Sequence, residues 1–145
     1  MSKLGVTLIG GLLFQAAVCA ATPDAVLDRA ATRQALEFLE AIEAETLEEQ
    51  IRIAEIPAPT FAEQDRAQYL QQRFRELGLT QVRIDAGGNV IGERPGSDPS
   101  QTLVIAAHLD TVFPIGTAIR VKRDGPHLIG PGIADDARGL AVLLA

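Results

Sequence analysis

The chain has 145 residues, 47% hydrophobic and 22% charged, with a net charge of −6 from 13 basic and 19 acidic side chains. That composition is one of a folded globular chain and excludes a disordered tail. The acidic balance, with no dense Lys/Arg cluster, excludes a nucleic-acid partner and a polybasic membrane contact, both of which need a basic face.

The first twenty residues stand apart. Lys3 gives a positive start, Leu4 to Val18 runs without a charge, and Val18 and Ala20 occupy the minus-three and minus-one positions of an A-x-A-like cleavage site. The run is shorter than the roughly 20 residues that span a bilayer, so a cleaved signal peptide is expected over 1–20 and no stable membrane anchor. The remainder, 21–145, is expected to be exported to the periplasm or the exterior. Cleavage after Ala20 removes Lys3 and the single cysteine, Cys19. The 13 basic groups less Lys3 leave 12 against 19 acidic ones, a net charge of −7. Without a thiol, stability rests on the core or a metal and not on disulfides.

Residues 24–55 read as amphipathic helix. Leu36, Leu39, Ile42 and Leu47 lie near helical spacing, and Glu37, Glu40, Glu43, Glu45 and Glu49 read as its solvated face. Thr46 with Glu49 resembles a capping box that restarts a helix toward Ile53. Pro57 and Pro59 break the pattern. Thr60 with Glu63 forms a second such box, followed by Ala67, Leu70, Phe74 and Leu77 at spacings of three and four. Gly78 sits where a helix end wants positive φ. Val82 and Ile84 then alternate with polar neighbours, Gly87-Gly88-Asn89 supplies a turn, and Val90 and Ile91 lead out. Leu103 to Ala107 is a continuous apolar run, as expected of a strand buried on both faces. Val121 to Ile129 reads as a hairpin around Asp124-Gly125, and residues 137–145 open an apolar helix. The order suggests an α/β layer architecture. An apolar helix face at Leu143-Leu144-Ala145 with no following strand suggests a truncated sequence.

His108 follows directly on the apolar run, at the carboxyl end of a strand where α/β sheets gather ligands. Asp110 lies two residues on, on the same side of extended backbone, where a carboxylate can orient a metal-bound imidazole. A structural histidine with a loop aspartate is the plain alternative for an isolated H-x-D. The second cluster, Gly130-Pro131-Gly132-Ile133-Ala134-Asp135-Asp136-Ala137-Arg138-Gly139, sets two acids in a glycine-framed turn before a helix. One acid suffices for an N-cap; a second suggests a metal ligand.

Ala107-His108-Leu109-Asp110-Thr111-Val112-Phe113-Pro114 together with that second stretch resembles the M20 metallopeptidases, the peptidase T-like, carboxypeptidase G2-like and aminoacylase-like enzymes. Ile56 to Glu63 and Asp85 to Val90 fit the same pattern. The resemblance implies the start of a zinc-exopeptidase-type catalytic domain, with a central mostly parallel sheet flanked by helices and without the family's lid domain. It makes His108 a ligand of one metal, Asp110 the catalytic carboxylate that orients it, and Asp135 the carboxylate bridging two metals, with a cis peptide to Asp136. The cofactor implied is two Zn²⁺, or Co²⁺ or Mn²⁺ in their place, activating a water that attacks a peptide or N-acyl amino-acid amide. A homodimeric full-length form is compatible with it. Arg138, where the family commonly has lysine, departs from the pattern. The general-base glutamate, the remaining acidic ligands and the distal histidine are expected beyond residue 145, so the 145-residue piece itself is expected to be inactive. His127 reads as an ordinary hairpin residue. An M28-type aminopeptidase is the nearest rival, because it also uses H-x-D and a later aspartate; Gly130-Pro131-Gly132 and Arg138-Gly139 fit M20 better. A non-catalytic protein that kept the metal turn, or an inert fragment with acids at a helix cap, are the readings from other classes.

Overall fold

Among the described residues helices come first, over 23–76, where the acid-rich amphipathic pattern runs. The computed structural model describes residues 22–145; the signal segment expected over 1–20 lies outside the described residues. Thr22 caps α1 (Pro23–Leu27), its hydroxyl accepting from the Ala25 N–H at 3.3 Å, with Pro23 in the first turn where its missing N–H costs nothing. α2 (Ala30–Ala41), α3 (Glu43–Ala54) and α4 (Gln64–Glu76) follow. The chain divides after Leu36 into two units, 1–36 and 37–145. No described helix is long and apolar enough to cross a membrane.

Within the second unit the core forms where three helices meet. Ile53 and Ala54 of α3, Leu70 and Phe74 of α4, and Ala137, Leu140, Ala141 and Leu144 of α5 (Ala137–Leu144) make one buried cluster. An eight-residue helix is too short to persist alone in water. Burying a leucine is worth roughly 2 kcal/mol, so Leu140 and Leu144 against α3 supply what propensity does not. β1 (Thr80–Ile84) and β2 (Val90–Glu93) pair antiparallel, with Arg83 opposite Ile91 and Ile84 opposite Val90. Their turn is tied by Asp85, whose Oδ1 accepts from the Gly87 and Asn89 N–H groups at 2.9 Å each. Gly92 lets this hairpin lie close on α4, since a Cβ there would come within 2.8 Å of Leu79 and 2.9 Å of Phe74. β3 (Lys122–Asp124) and β4 (His127–Ile129) form the second hairpin, as expected around Asp124-Gly125.

Four expectations differ from what the described residues show. Leu103 to Ala107 has no ladder partner among the described residues, and Leu103, Val104 and Ile105 are 85%, 81% and 69% exposed. Apolar content alone makes no strand: the backbone donors and acceptors need a neighbouring chain. The described strands accordingly form two antiparallel pairs among helices, a mixed α/β arrangement. Thr46 caps nothing. Helix α3 begins at Glu43, and the Thr46 hydroxyl bonds back to the Ile42 carbonyl at 3.1 Å. Nor does Thr60 cap α4; Glu63 stands at that N-cap, its carboxylate accepting from the Phe61 N–H at 2.7 Å.

Glu49, read as part of a solvated face, is the fourth. It is buried and accepts from Tyr69 Oη at 2.8 Å, Arg73 Nε at 3.0 Å and Arg52 at 2.9 Å. Burial alone would raise its pKa; the bonds from Tyr69 and Arg52 and the charge of Arg73 outweigh that and hold it below the ordinary glutamate value. A depressed carboxylate stabilises the fold above its unfolded pKa, near ~4.3, and that contribution is lost as pH falls through the lower folded value. Glu49→Gln weakens these charge-assisted bonds and is expected to destabilise by about 1.5 kcal/mol at neutral pH. Urea titration of both proteins checks it, and the gap should close on acidification below ~4.

Candidate metal centre

The segment carrying the first motif owes its orientation to its neighbours. Ala107 and Leu109 pack against the buried cluster, leaving His108 and Asp110 to the other side. Thr111 fixes the segment's end: its N–H donates to the Ala58 carbonyl at 2.7 Å, in an isolated parallel bridge between Pro59 and Thr111.

His108 is held at both ring nitrogens. Nδ1 lies 3.2 Å from Asp110 Oδ1 and 3.0 Å from the Asp110 carbonyl, and Nε2 lies 2.8 Å from Asp135 Oδ1. Acceptors at both nitrogens favour the imidazolium. The bond to Asp135 contributes most to raising the His108 pKa; burial works against it, and Asp110 and the charge of Asp136 add to it. Asp110 is itself oriented by Thr60, whose hydroxyl donates to Oδ2 at 2.9 Å and is the main cause of a depressed Asp110 pKa. The sequence reading missed Thr60, because its spacing to Glu63 imitates a capping box.

The two acids of the second motif divide the work. Asp136 is the N-cap of α5: its Oδ1 accepts from the Gly139 N–H at 3.0 Å, and its Oδ2 accepts from the His108 N–H at 3.2 Å. Asp135 caps nothing. Its side chain is 89% exposed and turned to His108. The peptide between them is cis, as the resemblance implies. The turn is anchored on α3, where Gln50 Nε2 donates to the Ile133 carbonyl at 2.7 Å and Arg138 reaches Glu43 at 3.1 Å.

His108, Asp110 and Asp135 border a cleft of about 270 Å³ whose other walls include Val112, Phe113 and Ile133. His127 stands on β4 and does not line it. A zinc ligand pair needs an imidazole nitrogen and a carboxylate oxygen within roughly 4 Å, and a carboxylate behind the imidazole. His108, Asp135 and Asp110 fit that donor chemistry. The fit is for two ligands, since no group of three or more His, Cys, Asp and Glu is arranged for a metal among the described residues.

Residues 89–145, which contain both motifs, match the sequence model of Peptidase family M28. Carboxypeptidase G2 of Pseudomonas sp. is 32% identical over 83 residues, covering 52% of this chain and 20% of that protein. A protein of Pyrococcus abyssi provisionally named LysW-lysine/LysW-ornithine hydrolase is 35% identical over 92 residues, 63% of this chain and 26% of the relative. Succinyl-diaminopimelate desuccinylase of Corynebacterium glutamicum is 29% identical over 93 residues, 64% of this chain and 25% of the relative. The chain spans about a quarter of the length of the curated relatives it matches. Its similarity is thus to peptidases and hydrolases by name, with the matching family model being the one weighed as the rival to M20.

Proposed function

We propose that the chain supplies part of the metal site of a hydrolase acting on peptide or N-acyl amino-acid amide bonds. The observation that carries this is the 2.8 Å approach of His108 Nε2 to Asp135 Oδ1, with the opposite ring nitrogen held by Asp110. Zn²⁺, with Co²⁺ or Mn²⁺ as substitutes, would be held by His108 and Asp135, Asp135 bridging to a second ion, and its chemistry there is to activate a water and polarise an amide carbonyl. Asp110 keeps the proton on Nδ1, so that Nε2 presents its lone pair. Asp136 holds the histidine backbone while α5 begins behind it. The remaining ligands and the general base come from outside the described residues, and in that larger domain Leu103–Ala107 is a strand of a central mostly parallel sheet. The M20 assignment is supported by Gly130-Pro131-Gly132, by Arg138-Gly139 and by the likeness to carboxypeptidase G2; the family model favours the M28-type reading instead. Export of the protein through residues 1–20, with no nucleic-acid or membrane partner, completes the proposal.

The test is a Zn²⁺ titration across pH. Metal must displace the His108 Nε2 proton that faces Asp135, so affinity should rise about tenfold per pH unit below the raised pKa and level off above it. The 145-residue chain should bind weakly and turn over no dipeptide, since a catalytic zinc takes three protein ligands. Affinity that ignores pH between about 5 and 8 would remove His108 from the site. In a full-length protein, chelation should abolish hydrolysis of dipeptides or N-acyl amino acids and added Zn²⁺ should restore it; activity indifferent to chelators would end the metal reading.

A further inference from the structure

Among the described residues Arg66 is the largest of the fully buried side chains, at 0% exposure. A guanidinium is a costly core filler, because desolvated charge must be paired and its donors satisfied. Arg66 meets those demands incompletely. Nη1 donates to the Leu109 carbonyl and Nη2 to the Ile56 carbonyl, each at 2.7 Å, while Nε has no partner among the described residues. A leucine or methionine would fill the same space without a stranded donor. What neither could provide is a rigid fork reaching two backbone carbonyls on separate segments.

Those segments are the ones that matter to the site. Leu109 lies between His108 and Asp110, so the Leu109 carbonyl belongs to the backbone on which both side chains stand. Ile56 opens the loop that runs alongside, and the two are stitched twice more: Thr111 N–H to the Ala58 carbonyl at 2.7 Å, and the Thr60 hydroxyl to Asp110 at 2.9 Å. Arg66 stands in the first turn of α4 beside buried Ala67, whose N–H donates to the Glu63 carbonyl at 2.9 Å. Burial disfavours the guanidinium and lowers its pKa, with the negative charge of Asp110 working against that.

We infer that Arg66 is a positioning residue for the His108–Asp110 segment, a buried fork that ties the histidine and aspartate backbone to the Ile56–Thr60 loop. Its consequence for metal binding rests on the function proposed above; the tie itself does not. A lysine at this position keeps the charge and reaches only one carbonyl, so Arg66→Lys separates the fork from the cation. Amide hydrogen exchange and Zn²⁺ titration of the full chain are measured side by side. In Arg66→Lys the Thr111 amide should exchange at least about tenfold faster, with the amides of Ile53 and Leu140 in the core unchanged. Zn²⁺ affinity should fall about tenfold, the loss typical of an outer partner of a metal ligand. An unchanged Thr111 rate overturns the inference. So does a variant that fails to fold, or one whose amides all speed up together, for then Arg66 supports the core at large. A wild-type chain that binds no Zn²⁺ strikes at the proposed function alone, because the exchange comparison still reads the tie.

Discussion

In the full-length protein, His108→Ala and Asp135→Ala are each expected to lower kcat/KM by about a thousandfold or more, and His127→Ala to leave it within about twofold. Charge stabilisation by a bound metal is worth several kcal/mol, and each ~1.4 kcal/mol is a factor of ten in rate. On the proposed function, losing either donor would forfeit that contribution, since the two sit 2.8 Å apart and no group of three or more candidate ligands is arranged for a metal among the described residues. Asp110→Asn should fall between, at about 10–100-fold, because it leaves the ligands and only loosens the imidazole. His127 is the control: the same side chain, on an exposed hairpin strand away from the cleft. Steady-state kinetics with metal content measured on each variant decide it. An Asp135→Ala enzyme with its zinc and its activity intact would return Asp135 to an ordinary turn residue.

How far the sequence could be read depended on whether a residue's partner was local. Ala67, Leu70 and Phe74 declared α4 through their spacing, and Gly78 marked its end with a φ of +74°. The turn at Asp85 to Asn89 and the hairpin at Asp124-Gly125 were legible for the same reason: short-range chemistry fixes them. Glu49 was not. Its burial depends on Tyr69 and Arg73, which arrive from α4 and have no trace in the period of α3. Thr60 and Arg66 were missed likewise, since their partners Asp110 and Leu109 lie 50 and 43 residues away. Within the site, spacing linked only His108 and Asp110; Asp135 joined them through the resemblance, and the capping role of Asp136 was visible only in the structure. Leu103 to Ala107 shows the converse: a clear apolar signal whose meaning depends on strands that the described residues do not provide.

Gly139→Ala is the second large effect, and here two physical arguments point opposite ways. Position 139 lies inside α5, where alanine is favoured over glycine by about 1 kcal/mol of helix propensity. A Cβ at 139, however, would stand 2.0 Å from Asp136 Oδ1 and 2.6 Å from its carboxyl carbon, far inside contact distance. A free side chain would swing aside at little cost, but this carboxylate is engaged on both oxygens, with the Gly139 and His108 N–H groups. Moving it forfeits a helix cap, worth about 1 kcal/mol, and the bond that holds the histidine backbone; keeping it means overpacking at up to about 3 kcal/mol. Sterics therefore win over propensity, and a net destabilisation of about 1–2 kcal/mol is expected. The damage should also reach the metal site, because Asp136 is the link between α5 and His108. Zn²⁺ affinity should drop in Gly139→Ala by at least the factor seen in Asp136→Ala, and the double variant should be no worse than Gly139→Ala alone in binding, since both remove the same tie. Denaturant melts and Zn²⁺ titrations on the two single variants and the double would show it. A Gly139→Ala protein that is more stable than the parent would mean that the Asp136 carboxylate has another place to go, and that it does not hold His108.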